Sequence, residues 1–484
     1  MKRSHILGVA LALALGACSD QQEPTTGNPT PGELAVSGTK GINVVLRGPA
    51  TSAQLTELRK YGTVKKQLTK INAVTMLGKE SSLPAIRALP FVAAANFDAE
   101  RNIPPDVSIP VNDFTAIGIS TWHLDAVNVT NRQVGTDRTI AQDGSGVYVA
   151  ILDTGLLPTW RYYFPAERIM TQFAKSFGGG GNDLGNVSEQ PNKWEHDNNS
   201  HGTHVTSTVI GYLFRGVPVN GVAPKANIIP VKVLNQNGRG WSSVIAEAIT
   251  YIGDLKAGPL AGSPVVVNMS LGGPILDAVE QAAITYAIAQ GVIIVASAGN
   301  EGEDGMGFPG AYAPVISAAA SGWVGEWKSC PNTLFGLPGQ PEIIPAASWW
   351  NGCDVADPTV ADDFYITDFS SRALTGQDLD VAAPGSWVVG PFQLQQGQLS
   401  FFFLGGTSMA SPHVAGIAAL MAQKNPALTA TQAENILTAN AIPMGAGCRM
   451  VAPDIDVAPE QVCWGADASG SGLATADAAV GATP

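Results

Sequence analysis

Four continuous runs of apolar residues alternate with stretches of helical periodicity between residues 147 and 424 of this chain. The runs read as buried strands and occupy residues 147–153, 228–234, 264–270 and 291–297. The stretches of helical periodicity occupy residues 201–212, 242–256, 276–290 and 411–424. Strands that are apolar throughout and separated by helices are typical of a parallel sheet covered on both faces. The pattern therefore predicts an α/β fold with a doubly wound, mostly parallel sheet.

The first buried run ends in a carboxylate. Val147–Leu152 is followed by Asp153, Thr154 and Gly155, and the carboxyl ends of strands are where open α/β sheets carry functional groups. The alternative is an Asx-turn or the N-cap of a following helix, because aspartate is common in both.

Two of the six histidines lie three residues apart in the segment Asn199–Thr206. His201 and His204 can share one face of a helix. One alternative is a metal pair, although the glutamate of a His-Glu-x-x-His helix is absent. Another is a buried histidine with a structural role.

A serine lies in the glycine-rich segment Gly405–Gly416, at the predicted start of a helix. Pro412 suits the first turn of that helix, which predicts that Ser408 lies just before it. A hydroxyl there is close to unpaired backbone N–H groups and to the positive end of the helix dipole. The alternative is an N-cap serine without a chemical role.

Together the three segments resemble the subtilisin-like serine peptidases, whose catalytic residues follow the order aspartate, histidine, serine. The resemblance rests on Asp-Thr-Gly, His-Gly-Thr-His-Val and Gly-Thr-Ser-Met-Ala-Ser-Pro-His-Val-Ala-Gly, and it covers nearly all of residues 121–484. It implies that Asp153, His201 and Ser408 are a catalytic triad, with His204 and His413 structural. A serine esterase is the related alternative, but Ser408 is not in a Gly-x-Ser-x-Gly elbow.

The same resemblance implies an oxyanion donor and a cleft for an extended substrate. Gly299-Asn300-Glu301-Gly302 follows the last buried run and is similar to the family's oxyanion segment, which makes Asn300 the side-chain donor; the alternative is an ordinary turn asparagine. A peptide would bind as an added strand between two backbone segments of the enzyme, the substrate rails, which are residues 238–240 and 265–273. A pocket would hold the side chain of the residue before the cleaved bond. The residues expected to line this cleft are Gly238, Gly240, Ser270, Leu271, Gly272, Ala298, Gly299 and Gly307. Without a charge at its floor, the pocket is expected to take a large apolar or aromatic side chain, and Glu301 at its rim to tolerate a basic one.

The N-terminus predicts export. Residues 1–17 combine Lys2 and Arg3 with a short apolar run, as in a signal peptide. Leu15-Gly16-Ala17-Cys18 resembles the lipoprotein cleavage box of bacteria, which implies a lipid on Cys18 and a membrane-anchored precursor. The alternative is an ordinary signal peptide with a chance cysteine. Residues 18–40 read as a flexible tether.

Residues 41–100 follow a strand and helix order of βαββαβ, which is the ferredoxin-like α+β pattern. This segment resembles the inhibitory prodomain of secreted subtilisins, and the proline-rich residues 101–120 would hold the processing site. The alternative is a small domain that only assists folding or binds something else. Cleavage there would leave the anchor on the prodomain and release the peptidase domain.

The four remaining cysteines lie in two insertions relative to the compact family form, at about 321–367 and 444–468. Export favours disulfides, and sequence proximity favours Cys330–Cys353 and Cys448–Cys463 among the three pairings. The first insertion could shape the cleft or be a surface loop. No metal ligand set is predicted. The loop 213–220 lacks the asparagine-rich character of the family's calcium loop, so a structural calcium ion is possible elsewhere but has no support in this loop.

A formal net charge of −13 argues against a nucleic-acid partner, which would need a basic surface. The expected partners are polypeptide substrates, the chain's own prodomain and the membrane through Cys18. The expected function is a secreted or membrane-tethered serine endopeptidase that processes itself and needs no cofactor. The alternative of a different class is a catalytically inactive surface protein that uses the same fold for binding.

Overall fold

The computed structural model describes residues 38–103, 107–110, 121–130, 138–182, 187–214, 216–327, 330–331, 343–344, 355, 358, 360–453 and 457–484. None of the helices in these ranges has the length and apolar character needed to cross a membrane. The predicted signal peptide, Cys18 and most of the tether lie outside the described residues, as do Cys353 and most of the first insertion. These expectations stay predictions.

The N-terminal part is a four-stranded antiparallel sheet with two short helices. Its elements are β1 (Thr39–Leu46), α1 (Ser52–Leu58), β2 (Gly62–Leu68), β3 (Ala73–Lys79), α2 (Leu83–Arg87) and β4 (Val92–Phe97). The strands are ordered β2-β3-β1-β4, which is the ferredoxin-like arrangement. Thr51 begins α1 with a reciprocal capping box to Gln54. Fully buried side chains such as Ile42, Met76 and Ile86 form a core of its own.

Two short strands and one helical turn connect this part to the rest of the chain. They are β5 (Glu100–Asn102), β6 (Val107–Pro110) and α3 (Trp122–Ala126). Neither strand belongs to the N-terminal sheet, since both pair with strands that come later in the chain.

The central part follows as an alternation of strands and helices. Between residues 148 and 297 the elements are β7 (Tyr148–Asp153), α4 (Trp160–Tyr163), β8 (Lys175–Ser176), α5 (His201–Ile210), β9 (Tyr212–Phe214), β10 (Val217–Val219), β11 (Asn227–Lys232), β12 (Arg239–Trp241), α6 (Ser242–Ala257), β13 (Val265–Met269), α7 (Ala278–Ala289) and β14 (Val292–Ser297). The remaining elements are β15 (Ile316–Trp323), β16 (Cys330–Pro331), β17 (Ile343–Ile344), β18 (Phe364–Ile366), β19 (Val381–Pro384), β20 (Val388–Pro391), β21 (Phe401–Gly405), α8 (Thr407–Lys424), α9 (Ala430–Asn440), β22 (Gly447–Val451), β23 (Glu460–Trp464) and α10 (Ala476–Ala482).

The main sheet has eight strands and confirms the predicted α/β class. Its order is β18-β15-β14-β13-β7-β11-β8, with β19 also paired to β15. Every pair is parallel except β15 with β18. The four predicted buried strands are β7, β11, β13 and β14, which lie side by side at its centre. Two large apolar clusters cover the two faces of this sheet.

The predicted start of the last long helix is wrong by four residues. The periodicity placed it at Ser411 with Pro412 in its first turn, whereas α8 begins at Thr407 and contains Pro412. A proline inside a helix leaves the carbonyl four residues earlier without its usual donor. That carbonyl belongs to Ser408, and the Ser270 hydroxyl donates to it at 2.8 Å. The helix therefore extends through the serine because a side chain from β13's end replaces the missing bond.

The N-terminal sheet is fastened to the central part by capping bonds. Asp98, just after β4, accepts the Ser243 backbone N–H at 2.9 Å and so caps the start of α6. Asn43 on β1 donates to Asp98 at 3.0 Å and to Asp277, the N-cap of α7, at 2.8 Å. One carboxylate–amide cluster thus satisfies the N-termini of two helices at once.

Cys448 and Cys463 form a disulfide across the hairpin of β22 and β23, where they are directly opposite each other. The sequence separation of 15 residues makes this a small closed loop. Both cysteines are exposed, so the bond acts on the second insertion and not on the core.

Replacing both cysteines, as Cys448→Ser with Cys463→Ser, is expected to lower the free energy of unfolding of this hairpin by at most about 3 kcal/mol, because the loop is short. The effect is measured by urea denaturation and by limited proteolysis within residues 444–468. Rapid cleavage there with an unchanged core is the expected pattern. Global unfolding of the double variant would show that the hairpin supports more of the structure than its exposure indicates.

Candidate active site

Asp153 and His201 meet at the carboxyl edge of the sheet. Asp153 is the last residue of β7, His201 is the first residue of α5, and both are almost completely buried. The His201 Nδ1 atom lies 2.9 Å from each carboxylate oxygen of Asp153. A ring nitrogen that faces a carboxylate carries the proton, which leaves Nε2 as the basic nitrogen of the neutral ring. The pair therefore fixes both the orientation and the tautomer of His201.

A second buried aspartate holds the loop that leads to His201, and sequence reasoning missed it. Asp197 accepts N–H groups from Asn199 at 2.9 Å and Ser200 at 2.8 Å, and the Thr154 hydroxyl at 2.8 Å. The bond to Asn199 is an Asx-turn, whose signal is an aspartate two residues before an asparagine. Burial raises the pKa of Asp197, and these donors counteract the rise.

The neighbouring cation is Lys232 at the end of β11. Its ammonium donates to the Thr154 carbonyl at 2.5 Å, and burial lowers its pKa while Asp197 and Asp153 oppose that change. Thr154 also accepts the Gly202 N–H at 3.0 Å. Thr154 thus connects the end of β7 to the start of α5, which fixes the spacing of Asp153 and His201.

Ser408 lies in the first turn of α8 and is fully buried. Its hydroxyl has no hydrogen-bond partner among the described residues. Helix α8 packs against α5, so the first turns that carry Ser408 and His201 belong to two helices in contact. Ser408 therefore lies at a helix N-terminus, as predicted. It is inside the helix and not before it, because α8 starts earlier than predicted.

Asn300 is held by the residue that precedes Ser408. Its side-chain oxygen accepts the Thr407 backbone N–H at 2.9 Å and the Thr407 hydroxyl at 2.8 Å. Thr407 in turn accepts the Gly299 N–H at 3.1 Å. Because the amide oxygen is directed to Thr407, the donor branch of the same amide points the other way. Thr407 was not singled out from the sequence, where it reads only as part of a small-residue turn.

The predicted substrate rails are occupied by the chain itself. Arg101 on β5 pairs with Gly240 on β12, and Asn102 pairs with Gly272 in an antiparallel bridge. Asn102 and Gly272 exchange backbone bonds of 2.9 and 3.0 Å, and the Ile103 N–H donates to the Gly238 carbonyl at 2.9 Å. Residues 100–103 thus form the middle strand that the sequence predicted for a substrate.

A cavity of about 480 Å³ adjoins the end of this strand. Three of the predicted pocket residues line it, namely Gly272, Gly299 and Gly307, together with Glu301 and Asp304. Gly299 has a φ of 113°, and a Cβ there would lie 2.4 Å from the Glu301 carboxylate. The glycine is therefore required by both conformation and space. Ala298 and Leu271 are fully buried and do not line the cavity, and Ser270 is engaged with Ser408.

Three carboxylates that could share a cation lie elsewhere, and they are Asp378, Asp380 and Glu434. Burial raises the pKa of Asp380 to about 7. Asp380 already accepts the backbone N–H of Ser317 at 2.8 Å and its hydroxyl at 3.0 Å. Nothing in this cluster takes part in the chemistry of Ser408.

Comparison with known proteins identifies a family by sequence and a shared fold by structure. The family model described as the subtilase family matches residues 144–481. Subtilisin BL of Lederbergia lenta is 31% identical over 303 residues, which cover 62% of this chain and 86% of that protein. Thermitase of Thermoactinomyces vulgaris is 29% identical over 282 residues, covering 58% of this chain and 77% of that protein. Among solved structures, fervidolysin of Fervidobacterium pennivorans shares the fold with a TM-score of 0.61 and 21% identity, over 92% of this chain and 61% of fervidolysin.

Three further histidines are buried behind the site. His413 Nε2 lies 2.7 Å from His123 Nδ1, and His413 Nδ1 donates to the Met409 carbonyl at 2.7 Å. Burial lowers the pKa of His204 to about 3 and that of His413 to about 4, and the pKa of His123 is also lowered. They are neutral in the folded protein and accept protons only after unfolding.

This cluster predicts loss of stability in acid. Between pH 6.5 and 4 these three histidines bind more protons in the unfolded chain than in the folded one, so their contribution lowers the free energy of unfolding as the pH falls, by up to about 1.4 kcal/mol per pH unit for each histidine. Buried carboxyls such as Glu326 and Asp380, whose pKa values burial raises, contribute in the opposite direction. His413→Gln is expected to reduce this slope. The measurement is urea denaturation from pH 7 to 4 on proteins that also carry Ser408→Ala, so that self-digestion does not contribute. An unchanged slope would exclude His413 as a source.

Proposed function

The chain belongs to the subtilase family of serine endopeptidases, and from this premise we propose that Asp153, His201 and Ser408 hydrolyse peptide bonds through an acyl-enzyme. The observation that supports the proposal most is the Asp153–His201 pair, with Nδ1 2.9 Å from both carboxylate oxygens, on a helix that packs against the helix of Ser408. No other pair of described residues joins a buried carboxylate to a histidine in this way.

The proposed reaction has two steps, in which Ser408 is first acylated and then released by water. Ser408 Oγ attacks the peptide carbonyl carbon while His201 Nε2 takes the hydroxyl proton, and the collapsing intermediate expels the amine, which receives that proton from His201. A water molecule then attacks the ester with the same histidine as base, releasing the acid and restoring Ser408. Asp153 holds the ring and stabilises the imidazolium. The proposed chemistry uses groups of the chain itself and water, and requires no cofactor.

Asn300 is the proposed oxyanion donor. Its oxygen is fixed by Thr407, so its amide N–H groups are oriented before the substrate arrives, and a pre-oriented donor costs no reorganisation during the reaction. The adjacent start of α8 contributes backbone N–H groups at the same place.

Substrates are proposed to bind as an added strand in the register of residues 100–103. Backbone bonds to Gly238 and Gly272 supply affinity without sequence preference. The cavity of about 480 Å³ is large enough for an aromatic or long apolar side chain, and its acidic lining of Glu301 and Asp304 also suits a basic one.

The N-terminal sheet is proposed to be an inhibitory prodomain. Residues 100–103 fill the substrate rails, so no polypeptide can bind while they are in place. Asp98 caps α6, and Asn43 donates to Asp277, the N-cap of α7, which fastens the sheet to the two helices. Release requires cleavage C-terminal to Ile103, and we expect it within residues 104–120. The mature enzyme would then comprise about residues 121–484.

The order of the segments leads to a proposal about location. If Cys18 is lipidated, the precursor is membrane-anchored and extracytoplasmic, and cleavage after Ile103 leaves the lipid on the prodomain. The mature enzyme is then released or secreted, as expected for a relative of secreted subtilisins.

Ser408→Ala is expected to abolish both peptide hydrolysis and self-processing, because the neighbouring hydroxyls in the first turn of α8, those of Thr407 and Ser411, are already engaged as donors to Asn300 and Asn268. The full-length chain and the variant are compared over time by electrophoresis, with sequencing of any new N-terminus. The wild type should shorten to a start within residues 104–120 and leave the membrane fraction after a high-salt wash. Equal processing of both proteins would refute the assignment of Ser408. Processed enzyme found only in membranes would refute release.

Asn300→Ala is expected to lower kcat by about 10²–10³ with little change in KM, which is the loss that removal of this donor causes in subtilisin. This corresponds to about 2.7–4 kcal/mol of transition-state stabilisation. The exposed Asn435 on α9 provides a matched control as Asn435→Ala. A loss expressed mainly in KM would indicate that Asn300 contacts the substrate in the ground state.

A further inference from the structure

The strand that fills the cleft carries one charged side chain into the interior. Arg101 is completely buried, whereas its neighbours Glu100 and Asn102 are partly exposed. Long cationic side chains are rarely buried unless a partner pairs with them. The partner here is Glu280, in the first turn of α7, which is 1% exposed.

The contact between the two side chains is bidentate. Arg101 Nη2 lies 2.5 Å from Glu280 Oε2, and Arg101 Nε lies 3.3 Å from Oε1. The remaining donors are also used, since Nη2 donates to the Ile275 carbonyl at 2.9 Å and Nη1 to the Glu100 carbonyl at 3.0 Å. The Glu280 carboxylate and the two carbonyl oxygens beside it match the planar arrangement of donors on a guanidinium. Such a site binds a guanidinium in preference to other cations.

The backbone around the fork is shaped to admit the side chain. A Cβ on Gly273 would lie 2.4 Å from the Glu100 carbonyl and 3.1 Å from Arg101 Nη1. The glycine therefore leaves room both for the incoming strand and for the guanidinium. Gly240 pairs with Arg101 on the other side, so the backbone that carries the guanidinium lies between the two substrate rails.

Glu280 belongs to the body of the enzyme and Arg101 to the segment that must leave. After departure, Glu280 stays in the first turn of α7, near Asp277, whose negative charge disfavours a second anion there. Burial also raises the pKa of Glu280, and Arg101 opposes this rise. A carboxylate in such a place is best compensated by a cation that arrives with the substrate.

The register gives the substrate position. The cavity of about 480 Å³ adjoins Ile103 and includes Gly299, which directly precedes Asn300. A substrate strand in the register of residues 100–103 puts its next side chain into this cavity and the following peptide bond beside Asn300 and Ser408. Arg101 therefore corresponds to the fourth residue before the cleaved bond.

We propose that Glu280 makes this endopeptidase selective for polypeptides with arginine as the fourth residue before the cleaved bond. The inference rests on the proposed function, since it names the substrate class of the same cleft. It predicts a requirement at a distance from the reacting bond, in addition to the preference of the main cavity.

The test uses the self-processed enzyme from the full chain and three quenched fluorescent peptides. They are identical except for arginine, citrulline or leucine at the fourth position before the cleaved bond, and all carry phenylalanine before that bond. Citrulline has the shape of arginine without its charge. Since hydrogen bonds to charged groups are the stronger class, we expect kcat/KM for arginine to exceed that for citrulline by about 10-fold or more.

Glu280→Gln keeps the shape of the side chain and removes its charge. The ratio of kcat/KM for the arginine peptide to that for the citrulline peptide should then fall to about one, because an uncharged site does not distinguish the two by charge. Glu303→Gln removes an acidic charge from a side chain that is 87% exposed and does not contact Arg101, and it should leave the ratio unchanged. A preference that persists in Glu280→Gln would overturn the assignment to Glu280. If that variant does not fold, the wild-type ratio still decides.

The outcomes separate this inference from the proposed function. Cleavage of all three peptides at equal rates, or fastest cleavage of leucine, refutes the arginine selectivity while the peptidase assignment stands. It would mean that Glu280 serves only to hold the chain's own segment. Absence of cleavage of any peptide above the level of Ser408→Ala refutes the proposed function, and the selectivity with it.

Discussion

The parallel sheet is the constraint on which the site depends. Parallel strands end at the same edge of a sheet. Asp153 at the end of β7 and Gly299 and Asn300 just after β14 therefore lie along one edge of the sheet. Helix α5 begins at this edge with His201. Helix α8 follows β21 of a separate three-stranded sheet, carries Ser408 in its first turn and packs against α5. Residues far apart in sequence thus come together without any local motif to join them.

A buried polar site is stable only if each group around it has a partner, and here the supporting bonds also set the geometry. Pro412 removes the helix bond to the Ser408 carbonyl, and the Ser270 hydroxyl replaces it. Thr407 fixes the oxygen of Asn300, and Asp197 folds the loop before His201 around three donors. Each of these bonds satisfies a polar group that burial would otherwise make costly, and each orients a neighbour of the proposed chemistry.

The sequence predicted those parts whose signal is local. Apolar runs predicted the four central strands within one or two residues. The family motifs are also local, which is why Asp153, His201, Ser408 and Asn300 could be proposed for the site from the sequence. The start of α8 was wrong because Pro412 is typical of a first turn, while its compensation comes from Ser270 on another strand. Arg101 and Glu280 were missed because each alone reads as an ordinary surface charge. Only the three-dimensional structure shows that they are buried together.

The contacts of residues 98–103 connect inhibition with recognition. An inhibitor that binds as a substrate strand uses the same backbone donors as a substrate, so the rails alone cannot favour the chain's own segment over other polypeptides. The advantage of that segment comes from its tether, because Asp98 and Asn43 hold the N-terminal sheet on α6 and α7 and keep the segment at a high effective concentration. In the proposed processing, removal of the sheet eliminates this advantage and leaves the Arg101 pocket to substrates. The proposed selectivity is therefore for the same side chain that the proposed inhibitory strand carries, namely arginine.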